Sequence, residues 1–84
     1  MLILKSALDH GITREQIDDL LATDATVWSV MTRSQDGFER VMVIGFDSNG
    51  RLLEVGIELT DCGLVVFHAD KAACESQRLF EEEY

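Results

Sequence analysis

The first part of the chain has apolar residues at helical spacing. Residues 4–8 predict a short helix that stops before Gly11, a residue suited to the position after a helix C-terminus. Residues 14–22 predict a second, amphipathic helix, because isoleucine and leucine recur there on one helical face. Thr13 and Gln16 have the spacing of a capping box, in which each side chain bonds the other residue's backbone amide. The sequence therefore predicts two short N-terminal helices.

From residue 26 onward the pattern becomes that of β-strands. The predicted strands cover residues 26–32, 38–46, 53–59 and 64–68, with a turn at 34–37. The Asn49-Gly50 pair is a strong hairpin signal between the second and third strands. In the third strand apolar residues alternate with Glu54 and Glu58, which predicts one sheet face exposed to water. The fourth strand is apolar on both faces and is expected at the centre of an antiparallel meander.

The C-terminal segment, residues 72–84, returns to helical spacing at Leu79 and Phe80. The predicted fold class is therefore α+β: two short N-terminal helices, a four-stranded antiparallel sheet and a C-terminal helix. One face of the sheet is expected to pack against the N-terminal helices. A chain of 84 residues has room for one domain, residues 1–84.

The charge balance restricts the function classes. Seven lysines and arginines stand against sixteen aspartates and glutamates, for a net charge of −9. Such a field repels polyanions and anionic membrane surfaces and attracts basic partners, whereas nucleic-acid binders usually carry a basic stripe. A core this small is marginally stabilising, so association with a partner or a second copy is also expected.

The sequence predicts neither a metal site nor a cofactor. Cys62 and Cys74 have the spacing of neither a metal site nor a disulfide framework, and they are expected to be reduced thiols. The apolar residues 1–4 are too few for a signal peptide or a membrane span. A cytoplasmic protein without membrane contact is the expectation.

Several segments carry a family resemblance. They are residues 5–13 (KSALDHGIT), 44–47 (IGFD), 50–55 (GRLLEV), 68–72 (HADKA) and 78–82 (RLFEE). In this order they resemble small bacterial toxin-like proteins related to the BrnT-type ribonuclease toxins of the RelE superfamily. The likeness extends over nearly the whole chain.

The resemblance implies a RelE-like fold and a component of a type II toxin–antitoxin system. Active members of the family cleave RNA without a metal, and a ribbon–helix–helix antitoxin neutralises them. They hold the scissile phosphate with basic residues near the last strands and the C-terminal helix. In this chain the matching candidates are His68, Lys71 and Arg78 as catalytic residues and Arg51 as a substrate-binding residue.

The chain departs from the family pattern between the last strand and the C-terminal helix. Asp70, Ser76 and Gln77 stand where relatives usually carry an arginine and an acid–arginine pair. A toxin-like endoribonuclease with weakened or lost activity is one hypothesis. A non-catalytic acidic module on the same fold, which binds itself or a partner protein, is the alternative. A small-ligand binder that uses Trp28 and Met31 is a third.

Each candidate also has a purely structural interpretation. His68 could fill a half-buried strand position, and Lys71 and Arg78 could be solvated cations, Arg78 pairing with a nearby glutamate. Arg51 could discourage edge-to-edge pairing of strands. His10, beside Gly11 at a helix end, could interact with the helix dipole.

Overall fold

The computed structural model describes residues 1–23, 26–30 and 37–83. Its elements are β1 (Leu2–Ile3), a 3₁₀ helix (Lys5–Leu8), α1 (Arg14–Ala22), β2 (Thr26–Val30), β3 (Glu39–Phe46), β4 (Leu52–Thr60), β5 (Gly63–Lys71) and α2 (Cys74–Glu83). The end of the predicted first strand with Met31, the turn residues 34–36 and residue 84 lie outside the described residues. No helix in the described ranges is long and apolar enough to cross a membrane.

The strands form one sheet in the order β1-β5-β4-β3-β2. The antiparallel meander from β2 to β5 and the α+β class are confirmed. The prediction of a purely antiparallel four-stranded sheet is wrong, because β1 pairs in parallel with β5 and makes the sheet mixed and five-stranded. The backbone N–H of Leu4 also donates to the carbonyl of Val66, at 2.9 Å, and so continues this edge of the sheet.

The first predicted helix is a single 3₁₀ turn rather than an α-helix. Its four residues are too few to propagate an α-helix, since the first turn must be ordered before any further hydrogen bond forms. The second prediction is confirmed at residues 14–22, including the capping box. The Thr13 hydroxyl accepts from the Gln16 amide at 3.1 Å, and the Gln16 side chain accepts from the Thr13 amide at 2.9 Å.

Helices cover the sheet on both faces. The first face packs against the 3₁₀ helix and α1, and its core is Ile3, Ala7, Ile12, Ile17, Leu20, Val41, Val43, Leu53, Val55, Ile57, Val66 and Ala69. The second face packs against α2 through a smaller cluster of Val27, Ile44, Ala72 and Phe80. The expected packing of the N-terminal segment on one face is therefore confirmed.

The second face is not the open, wet surface that the alternation in β4 predicts. Glu54 is only 8% exposed, because α2 folds back across this face next to it. The strand at the centre of the sheet is also β4 rather than the last strand, which lies between β4 and the two-residue β1. The alternation of residues in β4 carries no information about this helix, since α2 comes later in the chain.

Candidate functional site

The two histidines of the chain meet at one edge of the sheet. The ring centroids of His10 and His68 are 5.9 Å apart, and the rings lie edge to face at 61°. His68 is on β5, and His10 follows the 3₁₀ helix, which packs beside β5 through the buried Ala7. The sequence contains no other histidine, so the fold brings together both of its imidazoles.

The carboxyl group of Glu54 contacts the ring of His68. The distance between Glu54 Oε2 and His68 Nε2 is 2.9 Å. The other carboxylate oxygen, Oε1, accepts from the backbone N–H of Ala73 at 2.7 Å and from the hydroxyl of Ser76 at 3.1 Å. Each oxygen of this buried carboxyl group is therefore engaged, as a buried polar group requires.

Asp70 lies beside His10 on the outer side of the pair. Its Oδ2 is 3.7 Å from His10 Nδ1, and the side chain of His10 is 51% exposed. Asp70 also pairs in register with Glu54 across β4 and β5, so the two carboxylates lie on the same sheet face. The histidine pair consequently has a partly buried half, His68 with Glu54, and a more open half, His10 with Asp70. The open contact is the weaker of the two, because solvent screens it.

The imidazole pair suits proton transfer rather than nucleophilic attack by serine. Histidine is the side chain whose charge changes near neutral pH, so one ring can accept a proton while the other donates one. Ser76 donates its hydroxyl hydrogen to Glu54 and not to His68. A serine nucleophile needs a base that takes this hydrogen, and the arrangement therefore does not form a serine triad.

Arg51 lines a polar groove whose lining includes neither histidine. The groove encloses about 530 Å³, and its wall includes Gly11, which directly follows His10 in the chain. Glu15 and Asp19 of α1 line the same groove, so the arginine faces two carboxylates. The groove can therefore receive a phosphate at Arg51 only against local repulsion.

Asp47 fixes the loop that carries Arg51. The carboxylate is 6% exposed, and its Oδ1 accepts from the backbone N–H of Asn49 and of Arg51, both at 2.9 Å. Its Oδ2 accepts from the side-chain amide of Gln16 at 3.0 Å, which ties the loop to α1. The Arg51 backbone amide and then the Gln16 side chain lower the pKa of Asp47, since both stabilise the ionised carboxylate.

The predicted catalytic set is not gathered in one place. Lys71 is exposed at the end of β5, where it pairs in register with Leu53, a core residue of the first sheet face. Arg78 is exposed on α2, in a shallow groove with Glu75 and Glu82. No hydrogen bond, ion pair or ring contact within the described ranges joins His68 to Lys71, Arg51 or Arg78.

Sequence reasoning missed two members of the site. The sequence predicts that His10 interacts with a helix end, but Asp9 caps the 3₁₀ helix, and His10 contacts His68 and Asp70. The alternation in β4 predicts Glu54 on a wet sheet face, whereas its side chain is buried. The sequence has no independent signal for Glu54. The residue is a carboxylate in a central strand, opposite the strand that carries the histidine.

Among the residues that the structure describes, no three His, Cys, Asp or Glu side chains are placed to hold a metal ion. Cys62 and Cys74 are exposed free thiols. Comparison with protein-family models, with curated proteins and with solved structures yields no match.

Proposed function

We propose that this chain is a toxin-like, metal-independent endoribonuclease in which His10 and His68 form the acid–base pair. One observation carries the proposal: the only two imidazoles of the sequence lie 5.9 Å apart, and each has a carboxylate beside it. Cleavage of RNA without a metal needs one group that removes a proton and another that supplies one. A pair of histidines meets both needs near neutral pH.

The reaction uses the ribose 2′-hydroxyl as the nucleophile. One neutral imidazole takes the 2′-hydroxyl proton while the 2′-oxygen forms a bond to phosphorus. The bond from phosphorus to the 5′-oxygen breaks, and the second histidine, as imidazolium, donates a proton to that oxygen. The products are a 2′,3′-cyclic phosphate and a 5′-hydroxyl end, so atoms and charges balance without a further reactant.

Arg51 is the cation proposed to hold the RNA backbone. It lines the groove whose wall includes Gly11, the residue after His10, and the proposal requires an RNA strand to extend from this groove to the histidine pair. Lys71, at the end of the strand that carries His68, is a second candidate for a phosphate contact. Glu15 and Asp19 oppose this role by their charge, which accounts for the low activity that we expect of this chain.

The toxin–antitoxin context of the proposal rests on the resemblance of the five sequence segments. A ribbon–helix–helix antitoxin is the partner that this resemblance suggests. The net charge of −9 would steer a basic region of such a partner to the chain and accelerate association. Self-association remains the other proposed mode of assembly.

The second candidate function is a non-catalytic, acidic protein-binding module on the same fold. The observation that favours it is the placement of the cations: Arg51 faces two carboxylates, and Arg78 lies between Glu75 and Glu82. A surface arranged in this way binds polyanions weakly. The two functions differ in a simple property, because only the first requires the histidines for its effect.

The deciding experiment compares cleavage of a short single-stranded RNA by four proteins purified in the same way. These are the unmodified chain, His10→Ala, His68→Ala and Cys62→Ser, the last an exposed thiol in the turn between β4 and β5. We expect cyclic-phosphate products from the unmodified chain and from Cys62→Ser, unaffected by chelators, and at least 100-fold slower cleavage by each histidine variant. Equal cleavage by all four proteins would indicate a contaminating nuclease.

Expression in a bacterial host tests the toxin part separately. Induction is expected to arrest growth and to degrade RNA, and His68→Ala is expected to relieve both effects. Normal growth and intact RNA with folded, soluble protein, together with no cleavage in the purified system, would overturn the ribonuclease and favour the binding module.

A further inference from the structure

We propose that Glu54 is a positioning residue, which keeps the ring proton of His68 on Nε2 and leaves Nδ1 as the nitrogen that exchanges a proton with the substrate. The catalytic half of this inference rests on the proposed function. The tautomer half concerns the folded chain alone and holds whether or not the chain cleaves RNA.

The hydrogen bonds around Glu54 determine where the proton lies. Its Oε1 accepts from the backbone N–H of Ala73, a group that can only donate, and from the Ser76 hydroxyl. An ionised carboxylate offers acceptors only, so Oε2 is an acceptor as well. The Nε2 of His68, 2.9 Å from Oε2, must then carry the hydrogen.

The other ring nitrogen of His68 is free to react. Within the described part of the chain, no residue forms a hydrogen bond to Nδ1, and the side chain is 31% exposed. The neighbouring imidazole of His10 contacts the same ring edge to face. In the neutral ring with hydrogen on Nε2, Nδ1 is the basic nitrogen. His68 therefore presents a base to the site only while Glu54 holds this tautomer.

The start of α2 orients the carboxylate. Ala73 immediately precedes α2 and Ser76 lies in its first turn, and both donate to the same oxygen, so they restrain the position of the carboxylate. The group is buried, which strengthens these hydrogen bonds. Helix α2 thus acts on the histidine pair through Glu54.

The substitution Glu54→Gln distinguishes a role of Glu54 in positioning the His68 proton from a purely structural role. The amide oxygen of glutamine can replace Oε1 as acceptor for Ala73 and Ser76, and the NH₂ group must then face His68. Two donors cannot share a hydrogen bond, so Nε2 becomes the acceptor and the ring proton moves to Nδ1. The variant keeps the shape of the site but reverses the tautomer.

The test is nuclear magnetic resonance of the nitrogen-15-labelled full chain at a pH at which both rings are neutral. Long-range proton–nitrogen correlations of His68 are expected to show hydrogen on Nε2 in the unmodified chain and on Nδ1 in Glu54→Gln. The control Ser76→Ala removes one donor to Oε1 and leaves the contact with His68, so hydrogen stays on Nε2.

RNA cleavage by the same proteins tests the catalytic half. Glu54→Gln is expected to lower kcat at least 100-fold with little change in KM, because the wrong tautomer removes the base but not the binding site. The control Cys62→Ser, at an exposed thiol in the β4–β5 turn, is expected to stay within a few-fold of the unmodified chain.

The outcomes separate the two proposals. Hydrogen on Nδ1, or an even mixture of tautomers, in the unmodified chain would overturn the positioning role. An inverted tautomer with unchanged kcat would show that Nδ1 is not the reacting nitrogen. Absence of cleavage by the unmodified chain would overturn the ribonuclease, and the spectra would still decide whether Glu54 positions His68.

Discussion

Gly56 lies directly under the ring of Phe67. A Cβ atom added to Gly56 would be 2.8 Å from Phe67 Cζ and 3.1 Å from His68 Cβ, so a methyl group fits only if the ring of Phe67 moves. Phe67 is the extra residue of a β-bulge, since Gly56 pairs with His68 while the next residue, Ile57, pairs with Val66. The glycine therefore accommodates the bulge.

The bulge determines which face of the sheet carries His68. Val66 contributes to the core of the first face, and strict alternation would return His68 to that same face. Because Phe67 is inserted, His68 points instead to the second face, where Glu54 lies. Bulges commonly redirect a side chain in this way next to functional sites.

The first prediction concerns the substitution Gly56→Ala. The added methyl group must displace the ring of Phe67. The guanidinium of Arg40 lies over this ring, 4.5 Å from its centroid. We expect a loss of about 1–3 kcal/mol in the free energy of unfolding, measured by urea denaturation. The resonances of His68 should shift as well. A variant as stable as the unmodified chain, with unchanged His68 signals, would mean that the bulge does not depend on this glycine.

Elements with local signals could be predicted from the sequence. The capping box of Thr13 and Gln16 lies within one turn, and the Asn49-Gly50 pair marks the hairpin where Gly50 adopts a φ of +79°. Both signals act between residues close in the chain, so α1 and the β3–β4 hairpin appear where expected. In contrast, β1 is a strand only because two apolar residues pair with β5, which lies more than sixty residues later.

The candidate site was less predictable than the fold. The sequence indicates His68, but the other members of the site come from separate segments. His10 and Glu54 contact His68, and Ser76 donates to Glu54. Their meeting depends on the bulge at Phe67 and on the path of α2 across the sheet. Neither has a periodic signal in the sequence, because both arise from packing between distant segments.

The second prediction is a pH dependence of stability that originates at Asp47. Its pKa is lowered in the folded chain from an ordinary value of 3.8, so the ionised form is favoured by folding. The resulting stabilisation is fully present above pH 3.8 and is lost as the pH falls through the lower folded-state pKa. In Asp47→Asn, the side-chain NH₂ would face the donor group of Gln16, with a cost of about 1–3 kcal/mol at neutral pH.

Urea denaturation of both proteins from pH 7 downward measures this dependence. The difference in unfolding free energy between the unmodified chain and Asp47→Asn is expected to shrink as the pH falls below the ordinary carboxyl value. The exposed Asp61, in the β4–β5 turn, provides the control Asp61→Asn, for which we expect a much smaller difference at neutral pH. A difference for Asp47→Asn that stays constant with pH would contradict the role of its charge.

The third prediction concerns Arg51 and depends on the proposed function. Arg51→Ala is expected to raise KM for single-stranded RNA about tenfold with a small effect on kcat, because the guanidinium contacts a phosphate outside the reacting bond. The salt dependence of binding should also weaken by about one phosphate contact. The control Arg14→Ala removes an exposed cation at the start of α1 that does not line the groove. If the two substitutions had equal effects, Arg51 would contribute only to the overall electrostatic field of the protein and not to a specific phosphate contact.

The last prediction tests whether RNA binding is opposed by the two carboxylates in the Arg51 groove or by the net charge of the whole protein. Glu15→Gln with Asp19→Asn removes both carboxylates that line the Arg51 groove and changes the net charge from −9 to −7. The matched control, Glu75→Gln with Glu82→Gln, makes the same change in net charge in the groove on α2. If RNA enters the groove beside His10, the first pair should strengthen binding several-fold more than the second, as measured by fluorescence anisotropy at low salt. If both pairs strengthen binding equally, only the overall field repels RNA, and the groove is not its path to the histidines.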